Sequence, residues 1–219
     1  MNRLPAISLL SLVVLSGGLS ASRLQPSERK SVVFIQGNDT VGRESFTRSG
    51  SSLSGDLLLG QRHLHYEGEL SPDGAITRLD VRTSGPGVTR ERLTSIIIGR
   101  DSAQVIRHLG NTVDTLHFAS QPGLLPIINP SIALVEFITA RARAEQSQTS
   151  SIPVLSVDEA AIGSIEVSFV SPDTAAIGFA NGPKPMRVSL DGRGRVLGGT
   201  LGARRITILP TFTPVRPGM

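Results

Sequence analysis

One stretch of this 219-residue chain, residues 129–146, carries the only long helical pattern outside the N-terminal segment. Asn129 can cap a helix because its side chain accepts an orphan backbone N–H, and Pro130 suits a first helical position because its missing donor is not needed there. The sequence therefore predicts one helix, from about Pro130 to Gln146. Every other segment has the length and composition of a short strand, so a sheet has to cover this helix.

The predicted helix has two different faces. At about 100° per residue, the apolar side contains Leu134, Val135, Ile138 and Ala142. The opposite side contains Glu136, Thr139 and Arg143, which we expect to face water. Phe137 widens the apolar stripe in the first turns, so the N-terminal half of the helix is predicted to be enclosed.

The strand segments are short and are separated by turn residues. About eight precede the helix, and Pro72-Asp73-Gly74 is a strong turn between two of them because Pro presets φ and Gly accepts positive φ. After the helix, residues 147–151 are predicted to form a polar loop, and alternating strands then run to Leu209. The fold class is mainly β: an open antiparallel sheet or half-barrel curled around one central helix.

The first residues have the features of a secretory leader. A basic residue, Arg3, is followed by an apolar run over residues 6–15 and by small residues up to Ser22. The run is shorter than the roughly 20 residues that cross a membrane. We expect a signal peptide at 1–22, a single domain at 23–219, no membrane span after cleavage, and a periplasmic or secreted location. The absence of cysteine excludes disulfides and a lipoprotein anchor.

Composition and motifs argue against several classes of function. The net charge of +4 is dispersed, aromatic residues make up 4% of the chain, and tryptophan is absent, so nucleic-acid binding has little support. Neither a nucleophile elbow nor a phosphate-binding glycine loop occurs, and no cofactor is predicted. These observations favour a binding module over an enzyme.

One strand concentrates residues that can ligate a metal. Alternation places His63, His65, Glu67 and Glu69 on one face of residues 62–70. His-x-His followed by Glu resembles the metal-binding strand of cupins, although Leu57 stands where that motif has glycine. No metal site is favoured, but His63, His65 and Glu69 form the alternative hypothesis, as ligands for Zn²⁺ or Mn²⁺. The other interpretation of this strand is a solvated polar face.

An apolar loop precedes the helix at residues 123–128. This loop either fills one end of the sheet or closes an apolar groove between the helix and the sheet. The candidate groove residues are Leu124, Leu125, Ile127, Ile128, Leu134, Phe137 and Ile138, with Leu134, Phe137 and Ile138 as the floor. A gap beneath Leu134 and Ile138 would favour the groove, and a filled space there would favour a structural role.

Two segments carry a resemblance to known proteins. The segment from Phe34 to Phe46 and the segment from Tyr66 to Gly74 resemble the opening of bacterial periplasmic domains of unknown function with an open antiparallel sheet. Those domains lie near the lipoprotein-carrier fold, a half-barrel that shelters acyl chains. The resemblance bears on the fold more than on the function. Together with the leader and the candidate groove, it favours an exported, non-enzymatic module that holds a hydrophobic small molecule, or an apolar segment of an envelope protein. The alternatives are a metal-binding protein and a purely structural envelope domain.

Overall fold

A computed structural model describes residues 27–86, 92–180, 182 and 184–209, and the side chain of Leu109 is outside this description. The predicted signal peptide therefore lies outside the described residues. Within them are one helix and fifteen strands. The strands before the helix are β1 (Glu28–Gln36), β2 (Asp39–Ser49), β3 (Ser52–Leu59), β4 (Arg62–Leu70), β5 (Ile76–Ser84), β6 (Arg92–Ile98), β7 (Ser102–Leu109), β8 (Thr112–Ala119) and β9 (Leu125–Ile127).

The helix and the remaining strands complete the chain. They are α1 (Ile132–Ala144), β10 (Thr149–Ser156), β11 (Ala161–Ser171), β12 (Thr174–Phe179), β13 (Met186–Leu190), β14 (Val196–Leu201) and β15 (Arg204–Leu209). The predicted fold class is confirmed: the described chain is mainly β, with one open, unclosed sheet and a single helix.

All fifteen strands belong to one sheet, whose order is β8-β7-β6-β5-β4-β3-β2-β1-β15-β14-β13-β12-β11-β10-β9. From β1 to β8 and from β10 to β15, successive strands pair antiparallel. β1 also pairs antiparallel with β15, so the first and last described strands are adjacent in the middle of the sheet. Only β9 and β10 pair in parallel. A parallel pair needs a crossover connection, and α1 is that crossover. The sheet curls around α1 until β9 approaches β5.

The helix begins and ends inside the predicted bounds. Its N-cap is Ser131, whose Oγ accepts the N–H of Leu134, rather than Asn129, and Pro130 follows a cis peptide bond before the helix starts. The last helical residue is Ala144 instead of Gln146. The prediction placed the cap two residues early because Asn-Pro and Ser are both good start signals. None of the described helices is long and apolar enough to cross a membrane.

The predicted apolar face of α1 is confirmed, but its polar face is wrong. Leu134, Val135, Ile138 and Ala142 are all buried. Glu136 and Thr139, predicted to face water, are also buried, at 2% and 0% exposure. Arg143 is half-buried, with its guanidinium over the Phe169 ring. The prediction from periodicity placed polar residues on the outward face, whereas Glu136 and Thr139 have hydrogen-bond partners on the sheet.

Two strands at the β9 edge differ from the prediction. Residues 149–151, predicted as loop, begin β10, and the apolar residues 125–127 form β9. Serine and threonine before Pro153 resemble a loop in sequence, but here they pair in register with β11. Pro153 lies outside the pairing with β9, which begins at Val154. Proline is tolerated at this margin of a sheet.

Candidate ligand-binding cleft

A buried carboxylate holds the N-terminus of α1. Glu44 points inward from β2, and its carboxylate accepts the Ile132 N–H at 2.6 Å, the Ser131 hydroxyl at 2.6 Å and the Tyr66 hydroxyl at 2.9 Å. A negative charge is favoured at a helix N-terminus, where backbone N–H groups lack partners. Burial nevertheless dominates and raises the pKa of Glu44 to about 7. This contact fixes where the helix starts against the sheet.

A second buried carboxylate holds the next turn of the helix. Glu136 Oε1 accepts Lys30 Nζ at 2.5 Å and the Val196 N–H at 2.9 Å. Burial raises the pKa of Glu136, against the opposing effects of Lys30 and Arg48. One turn further, Thr139 Oγ1 donates to the carbonyl of Gly194 at 2.5 Å. The polar side chains of α1 therefore bind the sheet instead of water.

The side of α1 that is left open contains three apolar residues and one arginine. Phe137, Ala140, Arg141 and Ala144 recur at intervals of three and four residues, the spacing of one helical face. Phe137 is half-buried, and the other three are exposed. The Arg48 guanidinium lies 4.3 Å from the centroid of the Phe137 ring and supports it from the sheet side. A surface helix normally presents charged residues outward, so this stripe is inverted relative to the usual amphipathic pattern.

A cleft of about 630 Å³ lies along this stripe. Its other walls come from the β4–β5 turn, the β6–β7 turn and the β8–β9 connection, three loops at one end of the curled sheet. The apolar side chains that line it include Ile76, Ile98, Leu124, Leu125 and Phe137. Its ionisable lining residues are Asp73, Arg100 and Arg141. The volume lies in the range of small-molecule pockets, and an apolar wall with a few polar groups is typical of such sites.

The predicted groove residues fall into three places. Leu124, Leu125 and Phe137 line the cleft. Leu134 and Ile138 have no exposed surface, so they belong to the packed core and do not form a ligand floor. Ile127 and Ile128 line a separate cavity of about 70 Å³ beside β12 and β13. The space beneath Leu134 and Ile138 is filled, which favours a structural role for the first half of α1 and contradicts the predicted groove floor. The cleft lies instead along the second half of the helix.

His63 and His65 of β4 lie on the outer face of the sheet. His63 Nε2 and His65 Nδ1 each lie 3.0 Å from the same oxygen, Oδ1 of Asp56 on β3. Burial acts to raise the pKa of Asp56, but the hydrogen bonds from His65 and His63 outweigh it and lower that pKa. Glu69 is six residues from His63, about 20 Å along a strand, so the structure does not bring it to the histidines. The described residues contain no group of three or more potential metal ligands.

Several residues of this site were missed from the sequence, although weak signals for them exist. Glu44 and Lys30 share strand parity with buried neighbours, Phe46 for Glu44 and Val32 for Lys30. A charged residue in phase with the apolar face of a strand is a signal for a buried partner. Ser131 is a good cap by type. No sequence pattern indicated that Ala140 and Ala144 are exposed. Their exposure follows from the hydrogen bonds that orient Glu136 and Thr139 toward the sheet.

Fold and site together define a class: an open, curled β-sheet protein with one enclosed helix and a ligand-sized cleft at the helix C-terminal half. By sequence, the chain matches no family model and no curated protein. By structure, it is similar to a crystal structure of a DUF1089 family protein from Pseudomonas aeruginosa, with a TM-score of 0.55 and 16% identity over 73% of this chain and 89% of that one. At 16% identity this similarity supports a shared fold, that of an uncharacterised domain.

Proposed function

We propose that this protein is an exported, non-enzymatic module that binds a lipid-like amphiphile in the cleft beside the C-terminal half of α1. The observation that carries the proposal is the inverted helix. Glu136 and Thr139 are turned into the sheet, and the small apolar stripe of Phe137, Ala140 and Ala144 is left facing an open cleft. Leaving such a stripe in water is unfavourable, and covering it with an apolar ligand recovers that free energy.

The dimensions of the cleft support a small ligand rather than a large partner. A volume of about 630 Å³ suits a single alkyl chain with its head group. The three loops around it are separate connections of the sheet, so the cleft does not depend on one long segment. The sequence resemblance of the first strands to domains near the lipoprotein-carrier half-barrel, a fold that shelters acyl chains, also favours an apolar ligand.

Binding of a neutral fluorescent apolar probe tests the proposal. N-phenyl-1-naphthylamine is expected to bind the mature chain saturably, with a rise in its emission. Ala144→Trp places an indole in the cleft from an exposed helix position and is expected to weaken probe binding at least about tenfold, a loss of about 1.4 kcal/mol. Val170→Trp, at a residue that is 57% exposed and absent from the cleft lining, is the matched control.

The outcomes separate the proposal from a purely structural role. Loss of binding in Ala144→Trp with normal binding in Val170→Trp supports the cleft as the site. Equal binding by both variants, or no saturable binding by the parent chain, contradicts it. Circular dichroism of the three proteins establishes that each is folded.

The exported location is part of the proposal and rests on the sequence of residues 1–22. Expression of the full chain in a Gram-negative host, followed by fractionation, is expected to place the protein in the periplasm or medium. N-terminal sequencing of that protein is expected to begin close to Ser22. Retention of Met1 in a cytoplasmic protein would contradict the location without affecting the cleft.

A further inference from the structure

The cleft carries two guanidinium groups whose hydrogen-bonding capacity is not used by the described protein. Arg141 makes no side-chain hydrogen bond to any described residue, and its nearest acidic partner, Glu145 Oε1, is 3.6 Å from its Nε. Arg100, in the β6–β7 turn, has neither a hydrogen bond nor an ion pair through its side chain within the described ranges. Both side chains line the cleft.

The guanidinium of Arg141 lies against the main chain at Gly123. Gly123 has φ of +78°, and a Cβ there would lie 3.2 to 3.3 Å from the Nη2, Cζ and Nε atoms of Arg141. The guanidinium therefore packs beside the main chain of Gly123, although the Arg141 side chain as a whole is 51% exposed. A planar fork held in this way loses less side-chain freedom when it binds an anion.

The remaining charge in the lining does not cancel these two groups. Asp73 is the only acidic residue among the lining residues, and its Oδ1 already accepts the Ser71 hydroxyl within its own turn. The described lining thus carries one carboxylate and two guanidiniums, and Glu145, outside the lining, forms a 3.6 Å ion pair with Nε of Arg141 that offsets part of its charge but includes no hydrogen bond. Positive charge at the rim of an apolar cleft favours a ligand with an anionic end, because charge-assisted hydrogen bonds to a guanidinium are among the strongest in proteins.

We propose that the ligand is an anionic amphiphile, with its alkyl chain against Phe137, Ile98 and Leu124 and its carboxylate or phosphate head bound by Arg100 and Arg141. This inference rests on the proposed function and adds the charge of the head group to it. A cationic amphiphile is disfavoured by repulsion from the same two residues. A neutral one lacks the charge-assisted hydrogen bonds and keeps only the apolar contacts.

Calorimetric titration with ligands of one chain length tests the head group alone. Decanoate, decyl phosphate, decan-1-ol and decyltrimethylammonium are each added below the critical micelle concentration. At least one of the two anions is expected to bind about tenfold or more tightly than decan-1-ol, and the cation more weakly than the alcohol. Raising the salt concentration is expected to weaken anion binding and to leave the alcohol unchanged.

A double variant assigns the effect to the two arginines. Arg100→Gln with Arg141→Gln keeps the side-chain stems and is expected to bring the anion affinity down to that of decan-1-ol, whose own affinity stays unchanged. Arg187→Gln, an exposed arginine on β13 outside the cleft, is the control and is expected to bind like the parent.

The possible failures are distinguishable. Equal affinity for anions and alcohol in the parent chain, or an anion affinity that the double variant does not change, overturns the charge assignment while leaving the proposed function intact. Absence of binding by any of the four ligands overturns the proposed function and this inference with it.

Discussion

The carboxylate of Glu44, in the second strand, accepts the backbone N–H of Ile132, the first residue of the helix, at 2.6 Å. These residues are 88 positions apart. Their contact attaches α1 to strand β2. Along the chain, α1 is joined only to β9 and β10, which lie at one edge of the sheet. Glu136, one turn further, binds Lys30 and the Val196 N–H in the same manner. The helix is therefore oriented by two buried acids, and its apolar stripe faces the cleft as a consequence.

Glu44 makes stability depend on pH. The pKa of Glu44 is about 7 in the folded protein, against an ordinary value of 4.5 for a glutamate in water. Between pH 4.5 and pH 7, Glu44 is therefore protonated in the folded state and ionised in the unfolded state. The resulting stabilisation is fully present below pH 4.5 and is lost as the pH rises through 7. It amounts to about 3 kcal/mol. Urea unfolding of the parent chain at about pH 5 and about pH 8 is expected to show higher stability at the lower pH.

Glu44→Gln isolates this contribution from those of other groups. The amide keeps an acceptor for Ile132 and cannot titrate, so the difference in unfolding free energy between about pH 5 and about pH 8 is expected to shrink by roughly 3 kcal/mol. An unchanged pH dependence in Glu44→Gln would show that Glu44 does not titrate in this range.

Gly55 provides the space for the Tyr66 hydroxyl that binds Glu44. A Cβ at Gly55 would lie 2.3 Å from Tyr66 Oη, and Gly55 pairs directly with Tyr66 across β3 and β4. Gly55→Ala is therefore expected to displace the ring and lower the free energy of unfolding by about 2 kcal/mol or more. Chemical denaturation measures the change.

A second strand glycine is the control for Gly55→Ala. Gly163, in β11, has no atom within 4 Å of an added Cβ. Gly163→Ala is expected to leave stability unchanged or to raise it by up to about 1 kcal/mol. Similar losses in both variants would mean that strand glycine itself, and not the space for Tyr66, determines the result.

The buried ion pair of Lys30 and Glu136 should be sensitive to loss of one partner. Glu136→Gln leaves Lys30 without a compensating charge, and the free energy of unfolding is expected to fall by about 3 kcal/mol. The comparison is Glu166→Gln, which breaks the more exposed pair with Lys184 and is expected to cost much less. Equal costs in urea unfolding would contradict the structural role assigned to Glu136.

Most of the strands were predictable because each is short, alternates in polarity and ends at a turn residue. The segment Arg62–Leu70, for example, occurs with the predicted bounds. The miss at β10 has a physical cause: serine and threonine resemble a loop when taken locally, and only pairing with β11 and β9 makes them a strand. Tertiary context decides strand formation more than local preference does.

The site was less predictable than the fold. The loop residues Leu124 and Leu125 were identified because an apolar loop needs an explanation, and they line the cleft. The polar face of the helix was predicted incorrectly, because helical periodicity carries no information about a buried partner such as Lys30 on the sheet. Once Lys30 and Glu44 are buried, Glu136 and the helix N-terminus must turn toward them, and Ala140 and Ala144 turn outward.

Methyl chemical shifts during titration with decan-1-ol locate the bound ligand on the protein. We predict saturable shifts at the cleft methyls of Ile76, Ile98, Leu124, Ala140 and Ala144, with Leu58 and Leu209 on the outer face unaffected. Absence of saturable shifts at the cleft, or equal shifts at Leu58 and Leu209, would contradict the account.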